Sequence, residues 1–192
     1  MFEHVTVLLS IVYALALTHL LSSATELLIA RKRVRLSGLY AAWVVTALVV
    51  LLSNWLSLWG LTALKHWTVA EVVIQFLSAV IQYFTCSTFR VSEAHGDDLI
   101  DLPALFQERR VLIFSAFLAL ALIATFQNWW DRNNMAGLKP GNWIGEDLSI
   151  VPMALAVVAA GWARPRWLQW AAVVWVLGAS VLFLAISIMP AG

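Results

Sequence analysis

The stretch that decides the fold is Val5–Arg35, VTVLLSIVYALALTHLLSSATELLIARKRVR. Its first part, Val5–Thr25, carries no formal charge and has about the 20 residues that a helix needs to cross a bilayer. Four basic residues follow, Arg31, Lys32, Arg33 and Arg35. A long apolar run that ends in a basic cluster is typical of a retained transmembrane helix and not of a cleaved signal peptide.

Composition extends this prediction from one helix to the whole chain. Of the 192 residues, 62% are hydrophobic and 12% are charged, whereas about a quarter of the residues in soluble domains are charged. The mean hydropathy is +0.85. The net charge of +1 argues against a nucleic-acid partner, which would require clustered basic surface, so the expected surroundings are a lipid bilayer.

Long runs that are apolar and poor in charge predict the transmembrane helices. They lie at residues 5–29, 38–64, 69–89, 111–130, 148–163 and 167–189. A further segment, 97–108, has leucines and Phe106 at helical spacing opposite acidic residues, which predicts a short helix on the membrane surface. We therefore expect one all-α domain, residues 1–192, that is a polytopic membrane protein with a bundle of six transmembrane helices.

The basic residues of the predicted connections predict the orientation. The first, third and fifth connections carry Arg31, Lys32, Arg33, Arg35, Arg90, Arg109, Arg110, Arg164 and Arg166. The second and fourth carry Lys65, Arg132 and Lys139. Because loops rich in lysine and arginine stay in the cytoplasm, both termini are expected on the non-cytoplasmic side.

Polar residues inside the predicted spans are candidate functional residues, because polar groups are costly in hydrocarbon. Helix 1 has a ladder of small residues at four-residue steps, made of Ser10, Ala14, Thr18 and Ser22. Small residues allow another helix to approach closely. The ladder therefore predicts that helix 1 lies at the centre of the bundle.

The adjoining face of helix 1 carries His19, Ser22, Ser23 and Glu26. Two interpretations are open. In the first, His19 and Glu26 relay a proton, since imidazole titrates near neutral pH. In the second, His19 makes one hydrogen bond to another helix and Glu26 reaches Arg31 or Arg33.

Helix 3 has a polar stripe of its own, made of Glu71, Gln75, Ser78, Gln82 and Cys86. Such a stripe is expected to face other helices and not lipid, and Gln82 is expected to meet His19. Glu71 has a simpler interpretation, because it follows Thr68 in the Thr-x-x-Glu pattern of a capping box.

A second polar group is predicted where helix 2 and helix 4 end. It consists of Ser53, Asn54, Ser57, Gln127 and Asn128. Two interpretations are again open, because both follow from the cost of polar groups in hydrocarbon. These residues surround a polar cavity together with Glu71 and Gln75, or they meet the lipid headgroups.

The sequence lacks the motifs of common membrane enzymes and cofactor proteins. It has no Gly-x-Ser-x-Gly, His-Glu-x-x-His or Walker motif. The cluster of His95, Asp97, Asp98 and Asp101 is better explained by helix capping than by a metal. We therefore expect no metal and no cofactor, and we favour a protein that is not an enzyme.

Four segments resemble a widespread group of small, uncharacterised bacterial inner-membrane proteins of about this length. They are LSIVYALALTHLLSSATELLIARKRVR (9–35), NWLSLWGL (54–61), HWT (66–68) and DLPALFQERRVLIF (101–114). The resemblance extends from Met1 to Thr125, with Thr18–Leu21 and the Arg109–Arg110 pair as its best-matched parts. It implies a bacterial inner membrane and no particular activity.

The expected function follows from the polar residues. We predict a membrane protein that binds or passes a small molecule, ion or lipid through a polar site between helices 1 and 3, as a homo-oligomer. The alternative is an accessory or assembly subunit of a larger membrane complex, in which the polar stripes are interfaces with partner subunits.

Overall fold

The computed structural model describes residues 2–59, 67–91, 99–134, 143–162 and 165–188. Within these ranges the chain forms helices α1 Phe2–Ile29, α2 Gly38–Ser57, α3 Val69–Ser87, α4 Leu102–Asn134, α5 Trp143–Trp162 and α6 Arg166–Ile188. Arg31–Arg33 is a 3₁₀ turn, and the two strands are β1 Val34–Arg35 and β2 Ile100–Asp101. The prediction of an all-α protein is confirmed.

Five of these helices are long and apolar enough to cross a membrane. Their candidate spans are His4–Ile29, Gly38–Ser57, Val69–Ser87, Leu102–Asn133 and Arg166–Ala185. In α5 the apolar part that the structure describes is shorter, Ile150–Trp162. The predicted span ends at residues 64, 163 and 189 lie outside the described residues, as does the start of the predicted surface helix at residue 97.

The helices begin where side chains satisfy their first amide groups. At α3 the predicted capping box is confirmed: Glu71 N–H donates to Thr68 Oγ1 over 3.3 Å, and Thr68 N–H donates to Glu71 Oε2 over 2.7 Å. At α4 it is Asp101 that caps, with Oδ1 accepting from Ala104 N–H at 3.1 Å. These bonds satisfy donors that have no acceptor within the helix.

The segment predicted as a separate surface helix is instead the start of α4. Gln107, Glu108 and the two arginines that follow are good helix formers, so nothing interrupts the helix between Leu102 and the membrane span. The apolar face of this segment is also buried in the bundle, with Leu102 and Phe106 at 2% and 1% exposure. At 1.5 Å per residue, the 33 residues of α4 extend about 50 Å, which exceeds the hydrocarbon thickness of about 30 Å.

The central helix is α2 and not α1, so the expectation of a central helix 1 is wrong. Helix α2 contacts α1, α3, α4 and α6, whereas α1 packs mainly on α3 and α2. Trp43 of α2 is fully buried, with its ring against those of Phe114 and Phe117 of α4. A bulky aromatic face fills more core volume than a ladder of small residues, and it places α2 inside.

One end of the bundle is held together by the two strands. They pair in parallel, Val34 with Ile100 and Arg35 with Asp101, and the guanidinium of Arg35 lies 3.1 Å from the Asp101 carboxylate. The end of α3 joins them, because Tyr40 OH donates to the Phe89 carbonyl over 2.7 Å. We call this the basic end, since it carries Arg31, Lys32, Arg33, Arg35, Arg90, Arg109, Arg110 and Arg166.

Candidate functional site

Most of the helix 1 ladder does not pack against the residues that the structure describes. Ala14, Thr18 and Ser22 are exposed, and Thr18 Oγ1 donates back to its own helix, to the Ala14 carbonyl, over 2.8 Å. Only Ser10 meets another helix, accepting from Trp55 Nε1 of α2 at 3.3 Å. The packed face of α1 follows three- and four-residue steps and consists of Val5, Leu9, Tyr13, Ala16, Leu20 and Ser23.

His19 does contact helix 3, but through a residue other than Gln82. His19 Nε2 lies 2.9 Å from Tyr83 OH, and the two rings pack edge to face with centroids 5.1 Å apart. This is the interhelical hydrogen bond of the second interpretation. The ring of Tyr83 then covers the imidazole, so the pair belongs to the α1–α3 packing.

The other residues on this face of α1 point in different directions. Ser23 is buried, Ser22 is exposed and Glu26 is half-buried. Among the residues that the structure describes, the Glu26 carboxylate has no hydrogen-bond or ion-pair partner. The structure therefore joins Glu26 neither to His19 nor to the basic residues after α1.

The polar stripe of α3 is buried, as expected, with Glu71, Ser78, Gln82 and Cys86 at 6% exposure or less. Its amides bond to helices other than α1. Asn54 Nδ2 of α2 donates to Gln82 Oε1 over 2.9 Å, and Gln82 Nε2 in turn lies 3.5 Å from Cys86 Sγ. Burial raises the cost of leaving an amide unpaired, so these bonds fix the side chain of Gln82.

A second amide pair joins α3 to α4. Gln127 Nε2 donates to Gln75 Oε1 over 3.2 Å, and both side chains are half-buried. Together with the Asn54–Gln82 pair, this bond ties α2, α3 and α4 to one another through carboxamides.

Both amide pairs border a cavity of about 220 Å³ between α2, α4, α5 and α6. Its polar lining consists of Ser53, Asn54, Ser57, Gln127, Asn128 and Ser180. We call it the amide cavity. The structure agrees with the cavity interpretation for these residues, whereas Glu71 and Gln75 lie behind the lining, Glu71 in the capping box and Gln75 bonded to Gln127.

The chemistry of the amide cavity is uncharged. Its lining combines hydroxyls and carboxamides with apolar groups such as Met153 and Phe183. Among the described residues, no group of three or more histidine, cysteine, aspartate or glutamate side chains is placed to hold a metal ion. The described lining can therefore offer hydrogen bonds in both senses and apolar contact.

Two contributors to these contacts were not among the residues predicted from the sequence. Tyr83 lies 64 positions from His19, and only the pairing of α1 with α3 brings them together. Ser180 of α6 lines the amide cavity while its hydroxyl donates to the Val176 carbonyl. As a polar residue in the middle of an apolar run, Ser180 could have been found by the criterion that selected Asn54.

The chain matches no protein-family model, no curated protein and no solved structure.

Proposed function

We propose that the chain is a bacterial inner-membrane protein with six spans and both termini on the non-cytoplasmic side. Five long apolar helices support this topology, and α5 supplies the sixth span, since its 20 residues extend about 30 Å. The orientation rests on the basic end, which is cytoplasmic by its content of arginine and lysine.

Single cysteines test this orientation. Cys86 is 1% exposed and makes an unreactive background. Arg31→Cys places a thiol at the basic end, and Ser57→Cys places one at the other end of the bundle; both positions are exposed. A membrane-impermeant maleimide added to intact spheroplasts is expected to label only Ser57→Cys. Labelling of Arg31→Cys alone would reverse the orientation.

For the function, we propose that the protein binds or passes a small molecule in the amide cavity and is not an enzyme. The observation that carries this proposal is the meeting of side-chain amides and hydroxyls from α2, α4 and α6 around one cavity. Within the protein these groups use only part of their hydrogen-bonding capacity, as when the amide nitrogens of Asn54 and Gln127 donate to Gln82 and Gln75. A bound polar molecule can use the remaining acceptor positions. This moves the proposed site from the α1–α3 contact to the α2–α4 side of the bundle.

The lining favours an uncharged molecule over an ion or a whole lipid. No described lining side chain bears a charge, so an ion would meet no counter-charge among these side chains. The volume of about 220 Å³ is below that of drug-sized pockets, about 300–1,000 Å³. A compact molecule with hydrogen-bonding groups on one side and an apolar remainder fits best.

Filling the cavity tests this function. Ala179 lies in the lining on α6, whereas Ala171 of the same helix is exposed. Ala179→Phe and its control Ala171→Phe are purified in native-lipid nanodiscs, and the small molecules retained are compared by mass spectrometry. We expect one retained species to be lost in Ala179→Phe and kept in Ala171→Phe. Equal profiles in wild type and both variants would contradict the proposal.

A second candidate, a homo-oligomer or an accessory subunit beside partner membrane proteins, is favoured by the exposed ladder of α1. Ala14, Thr18 and Ser22 present a surface that admits a neighbouring helix. Ala14→Trp is expected to lower the assembly mass measured in detergent if this surface is an interface. An unchanged assembly would remove the ladder from consideration.

A further inference from the structure

A second cavity, of about 310 Å³, lies at the basic end, between the starts of α2, α4 and α6. Its polar lining is made of Arg35, Ser37, Gln107 and Arg166, and Phe106 and Trp170 form apolar walls. We call it the arginine cavity. Arg35 and Arg166 are exposed, so the cavity is open to the surroundings.

The charges around the arginine cavity are arranged unlike those of an ordinary helix start. The N-termini of α2 and α6 carry partial positive charge, which acidic residues usually balance. Neither helix has an acidic residue in its first turn, and each has an arginine at or near its start. Arg166 is the first residue of α6, and Arg35 comes shortly before α2. The cavity therefore concentrates positive charge: its described lining contains no acidic residue, and the Asp101 carboxylate beside it is paired with Arg35.

Several donors at this place have no acceptor among the residues that the structure describes. The first amide groups of α2, at Gly38 and Leu39, precede the first hydrogen-bonded turn, in which Tyr40 N–H donates to Ser37 Oγ. Arg166 has no ion-pair partner among the described residues. Arg35 gives one nitrogen to Asp101, which leaves the rest of its guanidinium for a ligand.

We propose that the arginine cavity binds a phosphate group. A tetrahedral anion accepts bidentate bonds from guanidinium groups and accepts further bonds from a helix N-terminus, and both kinds of donor line the cavity. The exposed indole of Trp170 beside the cavity is typical of the membrane interface. The phosphate comes either from an anionic phospholipid or from a phosphate in solution.

Lipid binding to the full chain in a neutral detergent tests the proposal, because a neutral micelle has no surface potential of its own. Dioleoylphosphatidylglycerol, which is anionic, is compared with dioleoylphosphatidylcholine, which has no net charge, by native mass spectrometry. Arg166→Gln is the test variant. Arg31→Gln is the matched control, since Arg31 is exposed at the same end but lies outside the cavity lining.

We expect the wild type to retain the anionic lipid over the neutral one, and Arg166→Gln to weaken retention of the anionic lipid about tenfold, as the loss of a charge-assisted bond implies. Arg31→Gln is expected to stay within about twofold of wild type. Equal losses in the two variants would overturn the proposal, because they would indicate attraction to net charge alone. Equal retention of the two lipids in the wild type would overturn it as well.

A third variant tests the cavity independently of charge. Gln107→Trp adds bulk to the lining while both arginines remain, and it is expected to abolish the preference for phosphatidylglycerol. An unchanged preference would overturn the proposal. Inorganic phosphate at millimolar concentration identifies the source: competition supports a soluble phosphate, and a preference that resists competition while remaining sensitive to Arg166→Gln supports a lipid headgroup.

Discussion

Helices α1 and α3 each carry a stripe of small or polar residues, with four-residue steps on α1 and three- and four-residue steps on α3, yet the two stripes face opposite ways. On α1 the ladder of Ala14, Thr18 and Ser22 faces outward. On α3 the stripe that includes Gln75 and Gln82 faces the bundle, where both amides bond to other helices. Both stripes follow helical spacing, so helical spacing alone does not show which face is packed.

The chemistry of the side chains decides which of the two stripes is packed. A hydroxyl on a helix can donate to the carbonyl four residues earlier and is then satisfied wherever it points, as Thr18 and Thr25 are on α1. A glutamine has two donors and two acceptor positions on its amide and cannot satisfy them on its own backbone so simply. Gln75 and Gln82 each find a partner on another helix, and these bonds help to fix the packing of α3.

The largest effect on stability is expected when the Asn54–Gln82 pair, which sets α3 apart from α1, is removed. Either Gln82→Met or Asn54→Leu keeps the approximate shape but leaves the other amide unpaired, which is expected to lower the free energy of unfolding by about 2 kcal/mol. The double variant is expected to lose less than the sum of the singles, with a coupling energy of about 1 kcal/mol. Equilibrium unfolding in mixed micelles measures the stability of the wild type, the two single variants and the double variant.

If the free-energy losses of Gln82→Met and Asn54→Leu are strictly additive, the two amides do not stabilise each other. Gln82 would then be stabilised by its contact with Cys86 or by packing alone. In that case the amides of α3 would resemble the hydroxyls of α1, and the difference between the two helices would disappear.

A smaller effect is expected at the start of α3, where Glu71 is explained by local bonds alone. Glu71→Ala removes one half of the capping box and is expected to cost about 1 kcal/mol of stability. Thr68→Ala removes the other half, so the double variant is expected to cost little more than either single. If Glu71 instead holds a ligand or a neighbouring helix, the losses from Glu71→Ala and Thr68→Ala will add.

Several of these features could be predicted from the sequence alone. Local rules predicted the all-α class, the capping box at Glu71 and the burial of the α3 stripe, because each depends on residues within one or two helical turns. The sequence also singled out the polar group of Asn54 and Gln127, but it left two interpretations open, a cavity and contact with lipid headgroups.

What the sequence could not supply is the choice of neighbours. The pairing of His19 with Tyr83, and of Gln82 with Asn54, depends on how six apolar helices pack, and apolar surface is nearly uniform around each of them. The central position of α2 has the same cause, since Trp43 fills the core through contacts with Phe114 and Phe117, which lie far away in sequence. Similarly, no breaker separates residues 102–110 from the span that follows, but only their packing shows that this segment joins the bundle.

The smallest effect on stability is expected from removing one hydroxyl on each helix, and it is the sharpest test of the comparison between α1 and α3. Thr18→Val on the exposed face of α1 and Thr85→Val on the buried face of α3 each remove a hydroxyl that donates to its own helix, over 2.8 and 2.9 Å. Because valine keeps the shape and the carbonyl keeps its helical bond, each change is expected to alter the free energy of unfolding by no more than about 0.5 kcal/mol. A loss well above this at Thr18 alone would mean that another helix, from a second copy or a partner subunit, uses the ladder hydroxyl. The face of α1 would then be an interface, and its polar residues, like those of α3, would depend on partners outside their own helix.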